Sequence, residues 1–331
     1  MKHVLVTGGA GYIGSHACKA LAAAGYVPVT YDNLVTGHRS AVRWGPFVHG
    51  DVLDRAALDA ALRVWQPVAV MHFAACIEVG ESMRDPGKYY RNNLAGALNV
   101  LQALVTGGVS RLVFSSTAAV YGMPLRSPIA EDHPLAPVNP YGAAKWMVER
   151  MLSDFDAAHG LRSISLRYFN AAGADPACET GEAHDPESHL IPLVLDAASG
   201  RRPSVSVFGS DYPTRDGTCV RDYIHVSDLA QAHVLALQAL EHGAATTAYN
   251  LGNGRGFSVR EVIGVCREVT GREIAVVEAP PRPGDAPELV AEAQKARREL
   301  GWNPQHASLQ EIVATAWRWH QRWHVGGGVA G

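Results

Sequence analysis

The sequence is poor in charge and in cysteine, and it has no long hydrophobic run. Charged residues make up only 18% of the 331 residues, and the formal net charge is −3. So small a charge gives no electrostatic basis for binding nucleic acid or an anionic membrane surface. No apolar stretch reaches the roughly 18 residues that a membrane-spanning helix needs. We therefore expect neither a nucleic-acid partner nor a membrane partner.

The cysteines form no recognisable framework. They are odd in number, scattered and without C-x-x-C spacing, at Cys18, Cys76, Cys178, Cys219 and Cys266. Such a set does not predict disulfides, so we expect reduced thiols and a cytoplasmic protein. A strand pattern that begins within the first six residues leaves no room for a signal peptide, which agrees with this expectation. The chain also lacks an internal repeat with a period of roughly 20–50 residues.

Short apolar runs alternate with helical patterns over the first half of the chain. The runs are Val4–Val6, Val27–Tyr31, Phe47–His49, Val68–Phe73, Arg111–Phe114 and Ser163–Tyr168. This alternation predicts an α/β fold of the Rossmann type, with a doubly wound parallel sheet. We assign 1–170 to this fold and 171–325 to a smaller mixed α/β domain, and leave open whether the two interleave. The Gly-rich end, 326–331, is predicted to be disordered.

Three glycines separate the first strand from the first helix. Gly8, Gly11 and Gly14 fit a tight turn, a close approach of the backbone to a pyrophosphate, and packing of the helix on the strand. The helix begins near Tyr12, and its N-terminus offers N–H groups to phosphates. Asp32 ends the next strand about 20 residues later, where a carboxylate accepts from a ribose hydroxyl and repels a 2′-phosphate. The pattern predicts dinucleotide binding, with NAD favoured over NADP.

Polar side chains also follow other predicted strands, at the edge where ligands bind in open parallel sheets. Asp51 follows the third strand and either contacts the adenine or caps the next helix. Ser115, Ser116 and Thr117 follow a later strand. Either one of these hydroxyls hydrogen-bonds a substrate oxygen, or all three serve only the turn.

Tyr141 and Lys145 are four residues apart in a helix that Pro140 suits as a first-turn residue. This spacing places them on one helix face. Only about 0.1% of an ordinary tyrosine is ionised at neutral pH. Lys145 and a nicotinamide ring would favour the phenolate, and a pKa lowered by roughly 3 corresponds to about 4 kcal/mol. Tyr141 is thus a candidate general base, the alternative being a Tyr-Lys pair on the wet face of an amphipathic helix.

Four residues in a loop-like segment resemble a metal cluster: His184, Asp185, Glu187 and His189. Their spacing matches no standard ligand set, so we predict no metal site.

Arg221 and Asp222 form a charged pair beside an apolar strand. Arginine pairs well with phosphate, so the pair either binds an anionic ligand or has a structural role, and the sequence does not separate the two.

Motifs along most of the chain resemble those of the extended short-chain dehydrogenase/reductase superfamily. They are T-G-G-A-G-Y-I-G, D-N-L, H-F-A, Y-Y-R-N-N, F-S-S-T-A-A-V-Y-G and N-P-Y-G-A-A-K. Later motifs resemble the UDP-glucose 4-epimerase family in particular, namely R-Y-F-N-A-A-G, G-T-C-V-R-D-Y-I-H-V-S-D-L-A and Y-N-L-G-N-G. The similarity runs from Lys2 to about Trp319.

This resemblance implies an NAD-dependent enzyme that inverts C4 of a UDP-hexose, converting UDP-galactose to UDP-glucose. C4 would be oxidised transiently by bound NAD while Tyr141 takes the 4-hydroxyl proton, and the 4-keto sugar would turn over within the site. It further implies that 1–170 binds NAD, that 171–325 binds the UDP-sugar, and that the protein is a homodimer.

Individual site residues follow from the same resemblance. The catalytic set is Thr117, Tyr141 and Lys145. The NAD-binding set is Gly8, Gly11, Tyr12, Ile13, Gly14, Asp32, Asn33, Asp51, Val52, Phe73, Ala74, Asn92, Ser115, Tyr141, Lys145 and Tyr168. The substrate-binding set is Thr117, Tyr141, Asn170, His189, Leu190, Phe208, Arg221, Asp285 and Leu289, with Arg221 at the diphosphate and Asp285 at the uridine ribose.

Three positions depart from the family pattern. Ile77 stands where some members have a lysine near the NAD pyrophosphate. His189 stands where some have an asparagine. Leu289 stands where some have a tyrosine that limits room around C2 of the sugar. A UDP-N-acetylhexosamine or a UDP-pentose therefore remains an alternative substrate.

Two other functions fit the sequence less well. A nucleotide-sugar dehydratase of this superfamily needs Asp and Glu after the position of Thr117, where this chain has Ala118 and Ala119. A non-catalytic NAD-sensing protein of this type usually lacks the Tyr-Lys pair, which this chain retains.

Overall fold

The computed structural model describes residues 1–282 and 284–325. Its strands are β1 (His3–Thr7), β2 (Val27–Asp32), β3 (Phe47–His49), β4 (Ala69–His72), β5 (Arg111–Thr117), β6 (Arg162–Tyr168), β7 (Asn170–Ala172), β8 (Val205–Phe208), β9 (Val220–His225), β10 (Thr247–Leu251), β11 (Gly256–Ser258), β12 (Val276–Ala279) and β13 (Glu288–Leu289). Its helices are α1 (Tyr12–Ala23), α2 (Arg55–Trp65), α3 (Val79–Arg84), α4 (Pro86–Tyr89), α5 (Gly96–Thr106), α6 (Pro140–His159), α7 (Leu190–Ala198), α8 (Val226–Glu241), α9 (Val259–Thr270), α10 (Gln294–Leu300) and α11 (Leu309–Val325).

A seven-stranded parallel sheet has the order β10-β6-β5-β4-β1-β2-β3. The chain runs outward from β1 through β2 and β3, then returns to place β4 on the other side of β1. The carboxyl ends of β1 and β4 therefore flank the point where strand order reverses, which is where open α/β sheets bind ligands. The predicted Rossmann-type fold is confirmed.

The alternating direction of side chains on β1 explains why helices cover both faces. Val4 and Val6 pack in a buried cluster with residues of α1 and α8. Leu5, between them, packs in a second cluster with residues of α2, α5 and α6. Because both faces are buried, the strand forms a continuous apolar run, which made it recognisable in the sequence.

Smaller sheets lie beyond the first half of the chain. Strand β9 pairs with β7, β11 and β13, and β8 pairs with β12. A third buried cluster joins α7, α9 and α11. A single cut after residue 170 does not divide the molecule, because β10 lies beside β6 in the large sheet and α8 packs on α1. The two parts therefore interleave.

Helix boundaries follow local signals with two exceptions. Ser258 and Glu261 form a capping box at the start of α9, and Asn139 caps α6 just before Pro140. The helical segment that joins α4 to α5 is not regular α-helix, because a π-helical turn spans Tyr90–Ala95. The cap of α8 is the His225 side chain, which accepts from the backbone nitrogen of Ser227.

The predicted disordered tail, 326–331, lies outside the described residues. Within the part of the chain that the structure describes, no helix combines the length and hydropathy that a membrane crossing needs.

Candidate active site

The glycine-rich loop is shaped by close backbone contacts. Gly8 has a φ of +73°, and a Cβ there would lie 2.6 Å from the Ala74 nitrogen. A Cβ on Gly14 would lie 2.1 Å from the Gly8 oxygen. At Gly11 a Cβ would lie 3.3 Å from the Gly8 oxygen, which is also a tight contact with the backbone. Gly11 is also the N-cap of α1 and has no side chain to occupy the first N–H groups, an arrangement that fits a pyrophosphate.

Asp32 and Asp51 occupy adjacent parts of the same edge. The Asp32 carboxylate accepts from the backbone nitrogens of Ala10 at 3.0 Å and Leu34 at 2.8 Å. Burial raises the pKa of Asp32. Asn33 donates to Asp51 at 2.9 Å, which joins two predicted cofactor residues.

Asp54 caps α2, with its carboxylate accepting from Ala57 at 3.0 Å. The helix-cap alternative for Asp51 is therefore wrong, and Asp51 remains beside the loop that follows β2. The adjoining Val52 is buried.

An asparagine that the sequence analysis missed holds the chain after β4. Asn93 donates to the Cys76 oxygen and accepts from the Cys76 nitrogen, each at 2.8 Å. It also accepts from Asn92, a predicted NAD-binding residue, at 2.9 Å. Both asparagines lie in the π-helical turn, a feature often found at functional sites. The segment that carries Phe73 and Ala74 is thereby fixed.

The predicted catalytic residues are brought to the carboxyl end of β5. Lys145 is 3% exposed, and its Nζ donates to the Ser115 carbonyl oxygen at 2.8 Å. Thr117 hydrogen-bonds with Tyr141 and also accepts from the Ala119 nitrogen at 3.1 Å. The Thr117 hydroxyl therefore both stabilises the turn after β5 and contacts the Tyr141 phenol.

Without the cofactor, the surroundings of this pair do not favour the phenolate. Burial raises the pKa of Tyr141, and the hydrogen bond with Thr117 opposes this only in part. Burial also lowers the pKa of Lys145 to about 7, so its ammonium is only partly populated near neutral pH. The predicted phenolate also requires the nicotinamide charge, so the expectation stays a prediction.

Tyr168, at the end of β6, lies against the same edge. Its hydroxyl contacts the Ser115 hydroxyl, and Thr117 is its register partner across the two strands. Ser115, Thr117 and Tyr168 are all buried.

Arg221 and Asp285 are 64 positions apart in the sequence, yet they meet. One Nη of Arg221 lies 3.6 Å from an Asp285 oxygen, and the other donates to the carbonyl oxygens of Val220 and Ala286. Leu289, in β13, is the register partner of Arg221. Three predicted substrate residues are therefore assembled around β9.

The remaining predicted substrate residues flank this group. Asn170 opens β7 and pairs with Tyr223 of β9. His189 is the N-cap of α7, and Leu190 is its first residue. The Arg282 guanidinium lies 3.9 Å from the centre of the Phe208 ring, a contact that no local pattern predicted.

Asp222 has a different role from its neighbour. Its fully buried carboxylate accepts from the backbone nitrogens of Asn253, Gly254 and Ala291. Burial raises its pKa to about 6. Asp222 thus anchors chain segments, while Arg221 retains a partly exposed guanidinium.

Three of the four residues considered above as a metal cluster, His184, Glu187 and His189, do lie together, and Glu182 takes the place of Asp185. Glu182, His184, Glu187 and His189 place their ligand atoms within 4.8 Å of one another. Asp185 is exposed and not part of the cluster. Glu182 was missed because nothing in its local sequence marks its side chain as buried.

The chain is similar to known proteins over nearly its whole length. The model of the NAD dependent epimerase/dehydratase family matches residues 4–252. The UDP-glucose 4-epimerase of Rhizobium leguminosarum bv. trifolii is 54% identical over 319 residues, which cover 96% of this chain and 97% of that protein.

Solved structures agree with this similarity. The UDP-glucose 4-epimerase from Brucella ovis, in complex with NAD, has a TM-score of 0.94 and 51% identity, covering 96% of this chain and 98% of its own. The UDP-glucose 4-epimerase from Bifidobacterium longum, in complex with NAD+ and UDP, has a TM-score of 0.93 and 36% identity. The match covers 98% of this chain and 100% of that one.

Proposed function

The chain belongs to the NAD dependent epimerase/dehydratase family, and from this premise we propose that it inverts C4 of a UDP-hexose, interconverting UDP-galactose and UDP-glucose. The observation that carries the proposal is the meeting of Thr117, Tyr141 and Lys145 on the sheet edge that begins with the glycine-rich loop. The resemblance inferred from the motifs is confirmed by the full-length similarity.

NAD is the cofactor, and the residues present fit it. Gly11 places no side chain at the start of α1, the uncapped N–H groups suit a pyrophosphate, and Asp32 presents a carboxylate at the end of β2. The chemistry that NAD+ supplies when bound is reversible hydride uptake from C4, together with a positive charge that favours the Tyr141 phenolate. We assign the NAD-binding set inferred from the sequence to this edge.

Tyr141 takes the proton of the 4-hydroxyl and later returns it to the same oxygen. Thr117 hydrogen-bonds with Tyr141 and thereby orients the phenol toward the sugar oxygen. Lys145 is held by the Ser115 carbonyl, so its ammonium is fixed on the same side of α6 as the phenol. Tyr141 therefore transfers the proton, while Thr117 and Lys145 position it.

The UDP part of the substrate is held by the smaller domain. Arg221 has a guanidinium that is 15% exposed and suits a diphosphate, and Asp285 beside it suits a ribose hydroxyl. Domain roles follow: the large sheet holds NAD, and the elements around β9 hold the UDP-sugar. We include Asn170, His189, Leu190, Phe208 and Leu289 in that substrate site.

A different UDP-sugar is the main alternative. Leu289 belongs to the two-residue strand β13, directly opposite Arg221, so its size affects room next to the proposed diphosphate site. If the space beside Leu289 determines which sugar binds, the substrate is a UDP-N-acetylhexosamine or a UDP-pentose. Dehydration is disfavoured by the methyl side chains of Ala118 and Ala119, which cannot transfer a proton.

We also propose that the protein is a homodimer in the cytoplasm. Val79, Met83, Tyr90, Trp146 and Met147 are each at least 36% exposed, although they are large and apolar. They belong to α3, the π-helical turn and α6, which pack on one another. Exposed apolar patches of this kind suit a protein interface. The five unpaired thiols are compatible with a reducing compartment.

The test is to incubate the purified protein with UDP-galactose and no added cofactor, and to separate the sugar nucleotides while recording NADH absorbance. UDP-glucose without lasting NADH supports epimerisation with resident NAD. UDP-N-acetylgalactosamine and UDP-arabinose in parallel reactions test the alternative substrates. Lasting NADH would instead indicate a dehydrogenase, and no conversion of any sugar with NAD supplied would remove the epimerase function.

A further inference from the structure

Two histidines and two glutamates converge in the segment between β7 and α7. His184 Nδ1 lies 3.1 Å from Glu182 Oε1 and 3.8 Å from Glu187 Oε1. His189 Nδ1 contacts Glu182 Oε1 and lies 3.7 Å from Glu187 Oε1. We call these four residues the His-Glu cluster. None of them belongs to the proposed catalytic set. His189 also belongs to the proposed substrate site, and a metal bound through its Nδ1 would leave its Nε2 for that role.

The separations match the edges of a tetrahedral metal site. Zn²⁺ binds imidazole nitrogen and carboxylate oxygen at about 2.0–2.2 Å, so two ligands of a tetrahedron lie about 3.4 Å apart. Three separations, of 3.1, 3.7 and 3.8 Å, bracket that value. The direct contact between His189 Nδ1 and Glu182 Oε1 is shorter, so these two atoms would move apart to admit an ion. Four protein ligands complete the coordination, as in structural zinc sites.

The hydrogen bonding of His184 adds a further observation on the same atom. Its Nδ1 is fully buried and, among the described residues, finds no hydrogen-bond partner, although Glu182 lies close by. A buried imidazole nitrogen that lacks a hydrogen bond is unusual. A metal ion at the centre of the His-Glu cluster would satisfy it.

The cluster is both held in place and reachable. Backbone oxygens of its segment accept from Trp319 at 2.7 Å and from His38 at 2.6 Å. Glu187 accepts from the backbone nitrogen of His189 at 2.8 Å, which orients the carboxylate. The His189 side chain is 42% exposed, so an ion can enter from solvent.

We propose that Glu182, His184, Glu187 and His189 bind one divalent transition-metal ion, with Zn²⁺ the best match to two nitrogen and two oxygen ligands. The site is structural, because all four positions are filled by protein. The site lies between the two proposed ligand-binding parts. The ring centre of Tyr12, in the proposed NAD-binding set, lies 6.2 Å from that of His184. His189 directly precedes Leu190, which is in the proposed substrate-binding set. This proposal reverses the sequence-based expectation of no metal, which considered spacing along the chain alone.

A second cluster provides a matched control. Asp196, His320 and His324 also place ligand atoms within 4.8 Å. However, the Arg201 guanidinium donates to the same Asp196 oxygen at 3.1 Å, and this positive charge disfavours a cation. His320→Asn thus removes a buried histidine beside a carboxylate without touching the His-Glu cluster.

The experiment uses the full chain without a polyhistidine tag, treated with a chelator and dialysed. Zn²⁺ is titrated against a chromophoric competitor, and Co²⁺ is added to a parallel sample as a spectroscopic probe. We expect one Zn²⁺ per chain, an intense visible Co²⁺ band typical of tetrahedral coordination, and a melting temperature raised by Zn²⁺. His184→Asn and Glu182→Gln should each weaken Zn²⁺ binding beyond the roughly 10–100-fold that outer-shell changes cost.

His320→Asn should bind Zn²⁺ as the wild type does. Zn²⁺ uptake that is equal in wild type and in both cluster variants would overturn the proposal, because it would identify adventitious surface binding. Absence of uptake by the wild type would also overturn it, leaving the four residues as an ion-pair cluster. The wild-type titration does not depend on whether a variant folds.

Discussion

At the scale of single residues, Tyr141 lies in surroundings that oppose its own ionisation. Burial raises its pKa, and the Thr117 hydrogen bond compensates only in part. Lys145, with a pKa lowered to about 7, is only partly charged near neutral pH. We therefore expect the phenolate to depend on the positive charge of bound NAD+, which would couple proton removal to the presence of the oxidised cofactor.

Replacing the phenol tests the proposed role of Tyr141 as the general base. Tyr141→Phe should fold and retain NAD but lose epimerase activity by about 10²–10⁴-fold, the usual contribution of general acid–base catalysis. Steady-state conversion of UDP-galactose measures the loss, and cofactor content is measured after denaturation. Tyr26→Phe is a matched control, because Tyr26 lies just before β2 and its hydroxyl donates to Glu241 at the end of α8. Activity of Tyr141→Phe within a few fold of wild type would remove Tyr141 as the base.

Lys145 should make stability depend on pH. Its folded pKa is about 7, against about 10.4 for an ordinary lysine. Between these values the unfolded chain binds a proton that the native chain does not, so the free energy of unfolding rises with pH. Below about pH 7 both states are protonated and the contribution is flat. Denaturant titrations of cofactor-free protein should show a rise of about 2 kcal/mol between pH 7 and 9.

The variant Lys145→Met should lack this rise. Lys2→Met changes a lysine whose side chain is 59% exposed and should keep it. A rise in Lys145→Met as large as that in the wild type would assign the pH dependence to another group.

At the scale of elements, a buried ion pair fixes α6 against the sheet. Arg167 in β6 and Glu149 in α6 are 2.6 Å apart, with side chains only 7% and 9% exposed. Ser116 of β5 also donates to Glu149, and Arg167 donates to the Tyr121 hydroxyl at 2.9 Å. Since Tyr141 and Lys145 are on the same helix, this network also sets where they lie relative to β5.

Removing one partner of this pair should be costly. Arg167→Met leaves the Glu149 carboxylate buried and uncompensated, and we expect the free energy of unfolding to fall by about 3–5 kcal/mol. Arg150→Met is the control on the same helix, because Arg150 and Asp154 are 75% and 60% exposed. That control should cost less than about 1 kcal/mol. Denaturant titrations measure the free energy of unfolding of both variants. Equal decreases in the two variants would show that the buried pair contributes no more to stability than the exposed pair.

The sequence predicts the features that depend on residues close together in the chain, and it does not predict contacts between distant segments. Strand β1 is buried on both faces and forms an apolar run, and Tyr141 and Lys145 are one helical turn apart, so both were recognisable. Strand β10 has no such run: Asn250 lies within it and bonds Tyr121 and Ile129, residues far away in the chain. The assignment of Arg221 and Asp285 to one substrate site came from motif resemblance, whereas their contact is seen only in the folded chain. The contacts of Glu182 and Asn93 needed the folded chain.

At the scale of the whole molecule, interleaving ties the two ligand sites together. Strand β10 completes the large sheet, and the Asp222 carboxylate of β9 holds the loop that follows β10. The elements that we propose bind the substrate are therefore attached to the sheet that we propose binds NAD, through that sheet's own edge strand. This leaves the opposite side of α6, with its exposed apolar residues, free to meet a second copy.

A charge placed on that surface tests the proposed dimer. Trp146 and Met147 are 38% and 36% exposed on α6, next to the buried Lys145. Trp146→Glu should convert a dimer to a monomer, because an interface core does not accommodate an unpaired charge. Light scattering coupled to gel filtration measures the mass. Val64→Glu, at an apolar site 73% exposed on α2, is the control and should leave the mass unchanged. If wild type and Trp146→Glu have the same mass, the dimer does not use this face of α6.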